Sequence, residues 1–112
     1  MEYDGIDRRQ HKRYDLACPV VLLRGKSDVL ARTKTVNISD GGALVPMYES
    51  AMPETGTKLH VRFSVPRSTS NSYMLEGFSS EATVIRQDPR DEESPPCVGL
   101  KFEPPLSLAI EV

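Results

Sequence analysis

Hydrophobic and polar positions alternate most cleanly at 58–65, where Leu59, Val61, Phe63 and Val65 interleave with Lys58, His60, Arg62 and Ser64. A period of two puts the first set on one face and the second on the other, which predicts a half-buried strand with one wet side. On that reading His60 faces solvent. Shorter runs carry the same message. Pro19-Val20-Val21-Leu22-Leu23 is closed by the turn-like Arg24-Gly25-Lys26-Ser27-Asp28, and Val29 to Val36 follows with Thr33 and Thr35, so these two runs predict a hairpin. Ala43-Leu44-Val45 is stopped by Pro46. Across the polar connection Arg67 to Ser72, Tyr73 to Arg86 is the expected partner of the 59–65 strand, with Gly77 as a candidate bend or bulge. Val98-Gly99-Leu100-Lys101-Phe102 is the last run, stopped by Pro104 and Pro105. Residues 49–57 and the acidic stretch Asp88 to Pro96 read as loops.

Short strands at regular spacing, separated by turn chemistry and lacking helical periodicity, predict an all-β antiparallel barrel, since closing the sheet removes its edges. The polar residues 1–14 offer almost no core material and read as an arm outside the sheet, mobile when free. The barrel is expected over 15–103. The tail, 104–112, has room for one or two helical turns at most.

Composition narrows the function. The 112 residues make one domain, and 38% hydrophobic with 27% charged is ordinary for a globular protein. No apolar run reaches the ~20 residues that span a bilayer, and Met1 opens a polar stretch rather than a leader, so neither membrane insertion nor secretion is expected. Cys18 and Cys97 lie too far apart for a paired zinc motif, and with only His11 and His60 besides, no metal-ligand cluster is expected; both cysteines read as small buried hydrophobes in a reducing cytoplasm. No nucleophile elbow or other pairing of Ser, His and Asp points to catalysis.

Charge adds the first positive clue. Residues 8–34 hold eight of the fourteen basic side chains (Arg8, Arg9, Lys12, Arg13, Arg24, Lys26, Arg32 and Lys34) against Asp15 and Asp28 alone, a local charge of +6, while the rest of the chain carries −8. A local positive region on an acidic chain suits a compact anion better than a long nucleic acid, and the absence of Trp and the scatter of four Tyr and three Phe speak against a stacking surface for single strands.

Two short patterns then stand out. Arg9-Gln10-His11-Lys12-Arg13, with Arg8 before it, places arginines four apart in a flexible arm, where they can close on one anion from two sides; the planar guanidinium matches phosphate oxygens and stacks on a base. His11, inside the arm, could touch the same ligand. In Asn37-Ile38-Ser39-Asp40-Gly41-Gly42, the strand period puts Asn37 and Ser39 on one face, offering donors and acceptors side by side. The same six residues also make a tight turn in which Asn and Ser cap backbone groups.

Together these patterns resemble the PilZ family, whose signature is Arg-x-x-x-Arg in an N-terminal arm and [Asp/Asn]-x-Ser-x-x-Gly on a barrel strand. Arg9 with Arg13 matches the first, and Asn37, Ser39 and Gly42 match the second. The resemblance runs from about Arg8 to Glu103. It implies a six-stranded barrel that binds cyclic diguanylate (c-di-GMP). Arg9 and Arg13 would be the clamp, with Arg8 assisting; Asn37 and Ser39 would read a guanine; Gly42 would make room for it. Arg86, at a strand end, would be an additional contact. Asn37 stands where the family more often has Asp, and its single acceptor oxygen is expected to read the guanine N–H edge less well.

The function so implied is a non-enzymatic cytoplasmic receptor that binds c-di-GMP, with no cofactor, and passes the signal to a protein effector when ligand orders the arm. The alternative is a PilZ-like adaptor, in pilus or motility machinery, that binds proteins without nucleotide.

Overall fold

A computed structural model describes residues 11–89 and 91–110. Seven strands follow in order: β1 (Pro19–Arg24), β2 (Asp28–Lys34), β3 (Asn37–Ile38), β4 (Gly42–Pro46), β5 (Lys58–Ser68), β6 (Tyr73–Asp88) and β7 (Cys97–Glu103), with one 3₁₀ turn at Glu49–Ala51. All neighbours are antiparallel, in the order β2-β1-β5-β6-β7-β4-β3. No α-helix occurs among the described residues.

Alternation builds the interior as expected. Val20 and Leu22 of β1, the four apolar residues of β5, Ala82 and Val84 of β6, and Leu100 and Phe102 of β7 all turn inward and are buried. Phe63 sits between Phe78 and Phe102, with ring centroids at 5.4 and 5.5 Å in stacked orientation. His60 lies on the outward face, its Nε2 2.9 Å from Ser79 Oγ.

Seven strands rather than the expected six reflect one bent segment. β2 pairs with β1, and two residues later β3 pairs with β4, so a single stretch of chain lies at both ends of the sheet. The change of partner happens at Thr35 and Val36: Thr35 N donates to Cys18 O at 3.0 Å, whereas Val36 N donates to Leu44 O at 2.8 Å. Buried Thr35 steadies the bend, its hydroxyl accepting from Cys18 N at 2.8 Å and donating to Leu16 O at 2.6 Å. The sheet thus curls round by continuity of the chain. It does not close by a ladder, and a cleft of about 550 Å³ remains between β2 and the stretch that follows β4.

Two further expectations are corrected, and a third, at most a short helix in the tail, is met without one. The bulge is not at Gly77, which pairs in unbroken register with Ser64; the register slips between Val84 and Arg86, leaving Ile85 half exposed as the extra residue. The arm is not wholly outside the sheet, because Tyr14 forms a bridge with Ile38 through two backbone hydrogen bonds of 2.8 and 3.0 Å. The tail makes no helical turn over 104–110. Asp40 and Arg67 instead hold it down: Leu106 N donates to Asp40 O at 2.8 Å, Leu108 N to Asp40 Oδ1 at 2.9 Å, and the Arg67 guanidinium to the carbonyls of Leu108 and Ala109. Leu108 is consequently sealed in the core. The backbone groups of this stretch are thus satisfied from elsewhere in the fold, by the Asp40 carbonyl and carboxylate and by Arg67.

Both cysteines are free and buried. Burial pushes each thiol up from its ordinary value. For Cys18 the Thr35 hydroxyl and the Arg67 charge oppose that rise; for Cys97 nearby Asp88 adds to it and Arg86 opposes it. The thiolate is the reactive form, so at neutral pH both are expected to resist a thiol reagent in the native protein and to react promptly in denaturant. Fast stoichiometric labelling of the folded protein, followed by absorbance, would contradict this.

Candidate functional site

The turn after β3 is built by Ser39. Its hydroxyl, buried with the residue, accepts from Gly41 N at 3.1 Å and Gly42 N at 3.2 Å, and it lies 3.4 Å from Gly42 O. Phe102 N donates to Gly41 O at 2.9 Å, fastening the turn to β7. Ser39 therefore holds the turn in shape before it offers anything to a ligand. Asn37, one face-step earlier, is half buried, and its side-chain amide has no hydrogen-bond partner among the described residues.

Around this turn lies a cavity of about 280 Å³. Asn37, Ser39 and Gly42 line it together with Arg13 from the arm and Arg86 from β6. Five residues singled out by the sequence motifs and by the resemblance thus meet at one place. Arg8 and Arg9 lie outside the described residues.

The cavity is electropositive. Arg13, Arg86 and Lys101 reach its lining along with His11, and among the described residues no carboxylate does. Asp88 touches Arg86 from outside the lining, Oδ1 at 3.2 Å from Nε. Both partners are over 40% exposed, so the pair adds little stability. Its effect is on aim. Arg86 follows the bulge and is paired with Gly99, and a Cβ on Gly99 would come within 2.8 Å of Arg86 Cγ. The bare glycine lets the long side chain lie across β7 into the cavity.

Gly42, which lines the cavity, also has a packing task that the resemblance does not imply. A Cβ there would run into the carbonyl oxygen of Leu100, well inside contact distance. Gly42 pairs with Lys101 across β4 and β7, so its missing side chain lets two backbones come together. Gly41 is constrained from the arm side, where its Cβ would meet His11 Cδ2 at 2.5 Å. His11 therefore rests on the turn.

Sequence reasoning did not single out Lys101, Leu44, Ile85 or Gly99 as cavity residues. Lys101 and Gly99 could have been placed on one face by the alternation of β7, but their pairing with β4 and β6 depends on a non-local register. The bulge that exposes Ile85 has no marker in the sequence.

Among the described residues no group of three His, Cys, Asp or Glu is placed to hold a metal ion, and no helix is long and apolar enough to cross a membrane.

Comparison with known proteins agrees with this architecture. No curated protein matches the chain. Among solved structures, the inhibitor of motility MotI/DgrA from Bacillus subtilis is similar, with a TM-score of 0.72 and 24% identity over 87% of this chain. The match covers 43% of that protein, so this chain spans less than half its length. The family model described as PilZ domain matches residues 7–111. With nearly the whole chain matched, the chain belongs to the PilZ domain family, a family of c-di-GMP receptors.

Proposed function

We propose that the protein binds c-di-GMP in the cavity around the Asn37–Gly42 turn and signals to a protein effector in the cytoplasm by ordering its arm. The observation that carries this reading is the convergence of Arg13, Asn37, Ser39 and Arg86 on one cation-rich cavity that no carboxylate lines among the described residues. Arg13 and Arg9 clamp the phosphates and stack on guanine, with Arg8 assisting. Asn37 and the outer side of Ser39 read a guanine edge, and Arg86 adds a contact from β6. At about 280 Å³ the described cavity lies near the lower end of small-molecule sites, roughly 300–1,000 Å³. A dinucleotide with two bases would overfill it and extend towards the arm, which gives residues 8–13 something to close on.

Binding is tested by calorimetric titration and thermal melts. A ligand that binds only the folded state, at ~100 times its dissociation constant, adds ~2.7 kcal/mol. For a domain of this size c-di-GMP should raise Tm by about 10 °C. Cyclic di-AMP or the linear GMP dinucleotide should shift it much less. Amides of Arg9 to Arg13 should gain protection from hydrogen exchange on binding. A flat titration at saturating c-di-GMP would leave the nucleotide-free adaptor as the reading.

A further inference from the structure

Four members of the basic stretch identified in the sequence, Arg24, Lys26, Arg32 and Lys34, do not line the cavity. Two of them, Arg32 and Lys34 on β2, meet Arg62 of β5 on the face of the sheet that points away from the core. Val21 pairs with Arg32 on one side and with Arg62 on the other, and Arg62 pairs with Ser79, so Arg32, Val21, Arg62 and Ser79 form one row across four strands. Lys34 lies in the neighbouring row, opposite Pro19. All three cations line one groove of about 650 Å³ that has no acidic residue in its lining among the described residues. None of the three makes an ion pair with a described residue. Gly77 also lines the groove, and a Cβ there would meet nothing within 4 Å, so packing does not demand this glycine.

We infer that this groove docks an acidic, extended segment of a partner protein. Charge complementarity names the occupant. Strands lie ~4.8 Å apart, so Arg32 and Arg62, flanking β1, arise about 10 Å from each other, and Arg32 and Lys34 are separated by about 7 Å along β2. Alternate residues of an extended chain sit about 7 Å apart, so a chain running along β2 matches Arg32 and Lys34 with successive carboxylates, and Arg62 reaches it from the side with its long side chain. A single phosphate would draw three like charges together. Half-buried Val21 provides an apolar floor between the arginines for the intervening side chains. A long nucleic acid is disfavoured, because outside residues 8–34 the chain carries −8 and Glu81, opposite His60, stands in the next row. The segment is therefore short and confined to the groove.

The test uses nucleotide-free protein, so its failure leaves the c-di-GMP reading untouched. A fluorescein-labelled hexapeptide alternating glutamate and valine is titrated by anisotropy, with the lysine-for-glutamate peptide, oligothymidylate, and phosphatidylcholine–phosphatidylglycerol vesicles as competing probes. The acidic peptide should bind, weaken severalfold on raising salt, and shift amide resonances at 19–21, 32–34, 62–64 and 77–79. The double variant Arg32→Glu/Arg62→Glu should lose at least about tenfold, Arg62→Gln should fall between, and Lys26→Glu should change affinity less than about twofold. All three substituted side chains are exposed, and melts monitored by circular dichroism should stay near wild type. Absence of peptide binding, unchanged binding by the double variant, or tighter binding of the oligonucleotide or the vesicles would overturn the assignment. So would self-association in sedimentation that the double variant abolishes, which would give the groove to a second copy of this chain.

Discussion

Gly42→Ala is expected to lower Tm by roughly 10–15 °C with no ligand present. The added methyl points at the Leu100 carbonyl oxygen, and the obstacle is backbone in the middle of β7. No rotamer can relieve it. Either β4 moves off β7 and stretches its ladder, or the turn that Ser39 caps must open. Overpacking of this kind costs about 3 kcal/mol, which for a domain near 110 residues gives that shift. The comparison variant is Gly77→Ala, whose new methyl meets nothing within 4 Å. It should melt within about 2 °C of wild type. Equal melts for Gly42→Ala and wild type would show that β4 and β7 are not held as described. The result also guards the reading of binding data, since lost affinity in Gly42→Ala would report a damaged barrel before it reported a lost ligand contact.

The second large effect is on binding alone. Arg9→Ala/Arg13→Ala removes two charge-assisted anchors, each worth ~1.5–3 kcal/mol, so c-di-GMP affinity should fall about a hundred- to ten-thousandfold. Restoring lysine at both positions should recover only part, because an ammonium keeps the charge without the planar fork. Arg13 is exposed, so its loss should leave the unliganded melt near wild type. Asn37→Ala should weaken binding through the base and leave the salt dependence nearly unchanged, whereas losing the arginines should flatten it. Calorimetry at two salt concentrations checks both. Wild-type affinity in the double arginine variant would remove the arm from the site.

What the sequence conveys here is local. The alternation in β5 and the β1–β2 hairpin depend on neighbours a few residues away, and period and turn chemistry report those directly. The partner switch at Thr35 does not show in the pattern, because Val29 to Val36 alternates through the bend as though it were one strand. The tail misleads for a similar reason. Leu106, Leu108 and Ile110 recur with a strand's period of two, yet the stretch joins no ladder, and the groups that hold it, Asp40 and Arg67, come from elsewhere in the chain. At the cavity Arg13, Asn37 and Ser39 could be named from their motifs, while Lys101 could not. Nor could the packing task of Gly42, since its constraint is a carbonyl almost sixty residues away.

Asp40 gives this architecture a property that neither the cavity nor the core has alone. It sits inside the turn that lines the cavity, yet its carbonyl and carboxylate receive the amides of Leu106 and Leu108. Thermodynamic reciprocity applies to any such shared residue: if an occupant of the cavity changes how firmly Leu108 is seated, then the seating of Leu108 changes the affinity of that occupant by the same factor. A substitution at Leu108, which lines no part of the cavity, is in that sense a substitution in the ligand's own equilibrium.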